Sequence, residues 1–220
     1  MFIGHFALGL AAKRWTPALS LAVLFAAAQF ADLLWPVLVA LGVEQVRIDP
    51  GNTAATPLDF VSYPYSHSLL MLVIWGALFG WVAARAVGDR RVFAVVAALV
   101  VSHWVLDYVT HRPDMPIYPG GPKVGLGLWN HVTLERIIEG AMFIAGVNLY
   151  AQCTAARDAI GRFAFWSLAF LLFAGFNLAG SAAPPSITAL WATAIVASVI
   201  ILVWSWWADG HRESKVRSKK

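Results

Sequence analysis

One cysteine, Cys153, stands among 220 residues. A disulfide within the chain is therefore excluded, and so is any Cys-x-x-Cys metal site. Charge is scarce as well. Asp, Glu, Lys and Arg make up 13% of residues against 60% hydrophobic ones, and the mean hydropathy is +0.68. That is too little polar surface to clothe a water-soluble domain, and it is the composition of a helical membrane protein. The net charge of +4 is no nucleic-acid footprint, because much of it sits in the closing stretch "HRESKVRSKK", which reads as a solvated basic tail. No internal repeat or low-complexity tract stands out. Lys13 and Arg14 before an apolar run to "LFAAAQ" have the outline of a signal peptide, yet the run continues through "FADLLWPVLVALG", as a spanning helix does.

Long apolar runs are what the chain has in plenty. Six can cross a bilayer core, which takes ~20 residues: roughly Thr16–Leu41, Ser66–Val87, Arg91–Thr110, Leu128–Ala151, Phe163–Ala179 and Ile187–Trp207. The preceding "MFIGHFALGLAA" is too short to cross, and "KRWTP" after it suits a turn, with Pro17 opening the next helix. The predicted architecture is all-α: one polytopic membrane domain over residues 1–220, with about six transmembrane helices plus a short re-entrant N-terminal helix. Residues 1–155 carry the site helices, 156–208 two scaffold helices and 209–220 the tail. Lys13/Arg14, Arg85/Arg90/Arg91, Arg157/Arg162 and the tail fall on one side, which the positive-inside rule makes cytoplasmic. The Gly/Pro-rich loops "VEQVRIDPGNTAATPLDFVSYP" and "RPDMPIYPGGPKVG" then face outward.

On this map the ionisable residues gather in one layer near the outer boundary. Asp32 lies in the outer half of the first span, His67 opens the second, and His103 and Asp107 close the third. His111 follows in the loop, and His131 and Glu135 open the fourth. "HWVLD" and "HVTLE" are His-x-x-x-acid pairs, and side chains at i and i+4 share one helix face about 6 Å apart, close enough to grip one ion. Imidazole with carboxylate suits zinc and other divalent first-row metals. Ionisable groups inside a membrane are costly, so a site is the default expectation. A lone histidine at a helix end more often meets a backbone carbonyl or the headgroups; here five of the six histidines, these four and His5, belong to the constellation, and only His211 lies apart in the tail.

"FIGHFALG", "YSHSLLM" and "SHWVLDYVTHRPDMPI" resemble the membrane-bound metal-dependent hydrolase family of bacterial inner-membrane proteins, over roughly the first 140 residues. The order His5, Asp32, His67, His103-x-x-x-Asp107, His111, His131-x-x-x-Glu135 also resembles the ligand order of the zinc-dependent phospholipase C and single-strand nuclease group. The resemblance implies a phosphoric-ester hydrolase with two or three divalent ions, zinc foremost. Asp32, His67, His103 and Asp107 would hold one ion, and His111, His131 and Glu135 a second. Asp107 would bridge to a third, completed by His5 and the Met1 amine. Asp32, Asp107 and Glu135 are the carboxylates expected to act in catalysis, Asp32 as ligand or as base.

Arg112 and Lys123 are candidate phosphate contacts, or merely loop charges at headgroup level. Glu139 either steadies a ligand or pairs with Arg136. Tyr63, Tyr65, Trp104, Tyr118 and Trp129 sit at interface depth, as an aromatic belt does. The expected partners are the bilayer and a small or lipid phosphoester, with the site facing outward. A metal-ion or proton-coupled transporter and a structural protein with a stabilising metal are the alternatives.

Overall fold

The computed structural model describes residues 1–178 and 182–216. Helices α1 (Ile3–Ala12), α2 (Leu21–Ala28) and α3 (Phe30–Ala40) come first. A hairpin of β1 (Gln45–Ile48) and β2 (Leu58–Ser62) and the single turn α4 (Pro64–His67) lead to α5 (Leu69–Val87) and α6 (Arg90–Thr110). The short pairing of β3 (Met115–Pro116) with β4 (Lys123–Val124) and a 3-10 turn, Leu128–Asn130, precede α7 (Val132–Cys153). Then come β5 (Thr154–Ala156), α8 (Ala159–Leu178), α9 (Ile187–Gly210) and β6 (Arg212–Ser214).

Helices α5, α6, α8 and α9 are each long and apolar enough to cross a membrane. The chain is a multi-pass membrane protein by that measure, and the expected all-α architecture holds in outline. A fifth candidate is the pair α2 and α3, bent by 63° where one straight span was expected. Gln29 at the bend has φ −101° and ψ 15°, outside helical values, and Pro36 inside α3 brings no N–H to its own turn. A sixth span does not follow. Helix α7 has 22 residues, but Glu135, Arg136 and Glu139 in its first turns make it too polar to qualify. Ala179, to which the fifth expected span extends, lies outside the described residues, as do residues 217–220.

Helices α5 and α6 form the tightest pair. Ser68 accepts the Met71 N–H at the start of α5, and Asp89 accepts the Arg91 N–H at the start of α6. Gly88 between them has φ +76°, a left-handed turn residue that lets the chain reverse. Gly76 and Gly80 share one face of α5 and admit the α6 backbone: a Cβ there would stand 2.9 Å from the Ala97 carbonyl oxygen and 2.7 Å from that of Phe93.

The short first helix is buried between longer ones. Ile3, Phe6 and Leu10 pack with Phe143 and Val147 of α7 and with Phe165 and Leu168 of α8. A Cβ on Gly146 would lie 2.6 Å from the Ala7 carbonyl oxygen, so α7 carries glycine where α1 crosses it. Lys13, just beyond α1, is pinned to Asp209 of α9 at 2.7 Å. The expected solvated tail is in part folded: β6 pairs with β5, Arg212 is buried across the Tyr150 and Phe165 rings, and His211 meets Asp158 at 2.8 Å.

Candidate metal centre

One carboxylate collects four imidazoles. Asp107 in the last turn of α6 is buried, and His103, one turn earlier on the same face, sets Nε2 3.1 Å from its Oδ2. His5 of α1 reaches Oδ1 with Nε2 at 3.1 Å. His67, closing α4, and His111, capping α6, hold Nε2 at 3.8 and 3.9 Å from Oδ2. The Met1 amine touches Oδ1 and donates to Thr110 Oγ1 at 3.0 Å. Asp32 of α3 adds a second carboxylate, its Oδ1 3.5 Å from His67 Nε2 and 3.8 Å from His103 Nε2.

The far side of each ring fixes its protons. His103 Nδ1 is 2.9 Å from the Ala28 carbonyl oxygen, which can only accept, so Nδ1 carries a hydrogen. Ser66 Oγ lies 2.6 Å from Glu44 Oε2 and 2.8 Å from His67 Nδ1. The carboxylate accepts the serine hydrogen, so the serine oxygen accepts from His67 Nδ1–H. His111 Nδ1 donates to Asp114 Oδ1 at 2.9 Å, and the same oxygen accepts the Tyr63 hydroxyl at 2.9 Å. In their neutral forms, His67, His103 and His111 therefore aim bare Nε2 lone pairs at carboxylate oxygens. Acceptor faces acceptor.

Two remedies exist: protonate every ring, or place a cation among them. Protonation buries several charges close together, and the His5 and His103 rings are stacked at 3.8 Å with planes 5° apart, where two imidazoliums repel. A divalent cation would serve several of these lone pairs at once, though His111 lies outside both of the close donor sets. His103 Nε2 is fully buried and makes no hydrogen bond, as a ligand atom would be left. Two sets of donor atoms each fall within 4.8 Å of one another: Asp32, His67 and His103, and His5, His103 and Asp107. Nitrogen and oxygen donors with Nδ1 anchored behind them are the ligand chemistry of zinc and its neighbours. His5 differs from the other three, for its Nδ1 is buried and unpartnered.

Local structure explains the convergence. The break at Gln29 ends α2 at Ala28, whose carbonyl is then taken by His103 instead of a further helical turn. Glu139 anchors α1: its Oε2 accepts the Phe2 and Gly4 N–H groups at 2.8 and 3.0 Å, serving amides that the start of a helix leaves free. This buried carboxylate, expected to steady a ligand or pair with Arg136, thus positions the segment bearing Met1 and His5. After His111 the chain doubles back tightly, with Gly127 N–H donating to the His111 carbonyl at 2.7 Å.

Outside the spans, electrostatics favour ligation. Burial pushes the His111 imidazole below its ordinary value, against the pull of Asp114, which keeps it neutral near pH 7. For Asp114 burial acts upward but is outweighed by His111, Tyr63 and Arg112, so its carboxyl stays below the usual range. Tyr63 is raised well above its usual value by burial and by Asp114, and remains a donor.

Not every expected residue arrives. His131 is exposed at the N-cap of α7 and belongs to neither donor set. Glu135 is buried one turn before Glu139 and is likewise outside both sets. Arg112 is engaged by Asp59 and by Asp114, and Lys123 Nζ donates to the Val61 carbonyl at 2.9 Å. Glu44, Ser66 and Asp114, the anchors behind His67 and His111, were not among the candidates. Asp114 stands three residues after His111 and Ser66 directly before His67, spacings that could have marked them; nothing in the sequence marks Glu44. No family model, curated protein or solved structure matches this chain.

Proposed function

We propose that this protein is a membrane-embedded, metal-dependent hydrolase of phosphate esters, its site at the outer face of a bacterial inner membrane and its C-terminus in the cytoplasm. The observation that carries this reading is the arrangement of imidazole Nε2 atoms around Asp107 and Asp32 with their Nδ1 hydrogens committed elsewhere. His103, with its one free Nε2 lone pair, would bind a single divalent ion, zinc foremost, together with His67 and Asp32; Asp107 and His5 would hold a second beside it, and His111 would complete the shell from the loop side. Such ions supply Lewis acidity, polarising a phosphoryl oxygen and making water a better nucleophile near neutral pH.

The chain's own groups do the rest. Ala28, Ser66 and Asp114 fix three rings so that ligand geometry is set before substrate arrives. Asp32 is the open carboxylate, its side chain 42% exposed against 4% for Asp107, and it accepts the proton of the attacking water. Asp107 orients the imidazoles. Orientation follows from the basic loops at the opposite end, Arg85, Arg90 and Arg91 among them.

The test is turnover of chromogenic phosphomono- and phosphodiesters by detergent-purified protein. Hydrolysis is expected with wild type and a loss of about 100-fold or more with His103→Ala, a ligand change being at least as severe as one behind it. Turnover equal in the two proteins would overturn the assignment.

A further inference from the structure

We propose that a slot beside Asp32 receives an apolar chain, so that the substrate is an amphiphilic phosphate ester whose tail lies along α9. This rests on the phosphoester reading above and narrows its substrate class.

The slot has a volume of about 250 Å³ and runs between α1, α3 and α9. Phe2 and Phe6 form one wall, Leu33 and Trp35 another, and α9 closes it with Ala194, Ala197, Ser198, Ile201 and Leu202. Its polar members are few. Asp32 and Gln29 lie on the α3 side, and Ser198 alone on α9. Asp32 belongs at the same time to the donor set with His67 and His103, so slot and metal centre are continuous through one side chain.

Depth identifies the occupant. Ile187, where α9 begins, packs in the cluster with Trp35 and Tyr63 at the site end. Ala194 to Leu202 lie seven to fifteen residues further on, roughly 10–22 Å along the helix at 1.5 Å per residue. A pocket that starts at a phosphate-binding centre and descends beside a candidate span, lined by alanines and large apolar side chains, fits a hydrocarbon or isoprenoid chain. A water-soluble phosphate would leave it without a partner. Gln29 Oε1 and Trp35 Nε1, both buried and unpartnered, flank Asp32 at the polar end. An indole N–H only donates, and an ester or phosphate oxygen is its natural acceptor.

The experiment uses the full chain in lipid nanodiscs with dodecylphosphonate and ethylphosphonate, which are not hydrolysed. Each methylene brought into such a slot improves binding roughly fourfold, so the long probe is expected to bind at least 100-fold more tightly by titration calorimetry. Ala197→Trp and, separately, Ala194→Leu fill the slot and should reduce that preference at least tenfold; partition of the probe into lipid is common to all proteins and cancels. A second readout needs no variant: a dodecylphosphonate bearing a mid-chain diazirine should cross-link to the α9 peptide containing residues 194–202. Chain-length preference unchanged in both variants, or cross-links confined to other helices, would overturn the slot. Slot binding without turnover of any phosphoester would break the hydrolase reading and leave the slot standing. Turnover indifferent to chain length, with no cross-link on α9, would do the reverse.

Discussion

Two buried aspartates, at opposite ends of the molecule, are met in opposite ways. Asp209, near the end of α9, is filled by donors with hydrogens of their own. Its Oδ2 accepts from Lys13 Nζ at 2.7 Å and the Leu21 N–H at 3.1 Å, and its Oδ1 from the Tyr150 hydroxyl at 2.5 Å. Nothing is missing there. Asp107 at the other end faces four imidazole Nε2 atoms, three of them on rings whose Nδ1 hydrogens are already spoken for. The chain can thus satisfy a buried carboxylate when the purpose is to hold helices together. Where bare imidazole nitrogens face Asp107 Oδ2 instead, with Oδ1 taken by the Met1 amine, the arrangement is the one that the proposed cation would complete. On that reading Asp209 is a staple, and Asp107 belongs to the proposed site.

The largest separation comes from removing each carboxylate. Asp107→Ala is expected to weaken metal binding by more than 100-fold, since Asp107 is the carboxylate that all four imidazoles face. Asp209→Ala should leave metal per folded chain unchanged while destabilising the fold by about 3–5 kcal/mol, because Lys13 stays buried without its partner. Metal analysis alongside thermal unfolding in detergent reads both. The double variant Lys13→Met/Asp209→Leu should recover most of that loss, since a buried pair replaced by apolar groups is often neutral. If Asp209→Ala also emptied the metal centre, the two ends would not be separable.

Next in size are the anchors. Ser66→Ala and Asp114→Ala each free one Nδ1 hydrogen and should weaken metal binding by about 10–100-fold, measured by competition with a chelator. Neither change touches an Asp209 partner. Acidification adds a pH dependence of definite sign: imidazoles must be neutral to ligate, and burial holds His111 below its ordinary value, so metal retention should fall only as pH drops below the usual histidine range.

The smallest expected effect is that of His131→Ala, within about twofold in metal affinity for a surface substitution. The reason also says what was legible in the sequence and what was not. The i, i+4 rule located His103 and Asp107 because both lie inside α6, where helical geometry puts them on one face. The same rule applied to His131 and Glu135 fails, for His131 is the N-cap, with φ −123° and ψ 63°, and precedes the first helical turn. Apolar runs showed the long helices, and the short first helix sets His5 Nε2 3.1 Å from Asp107. The bend at Gln29 was hidden, since an unbroken apolar run and a broken one look alike until His103 takes the Ala28 carbonyl. Lys13 and Asp209, 196 residues apart, carry no local sign that they meet. Hydropathy sees one charge in each run; only packing tells a staple from a site.

The most direct measurement is metal content of the purified wild-type chain by inductively coupled plasma mass spectrometry, with Asp107→Ala and Asp209→Ala prepared alongside. The expected result is at least one zinc or other first-row divalent ion per wild-type chain, retained in folded Asp209→Ala and lost from folded Asp107→Ala. Folded wild-type protein that neither carries such an ion nor takes one up at neutral pH would contradict the metal centre.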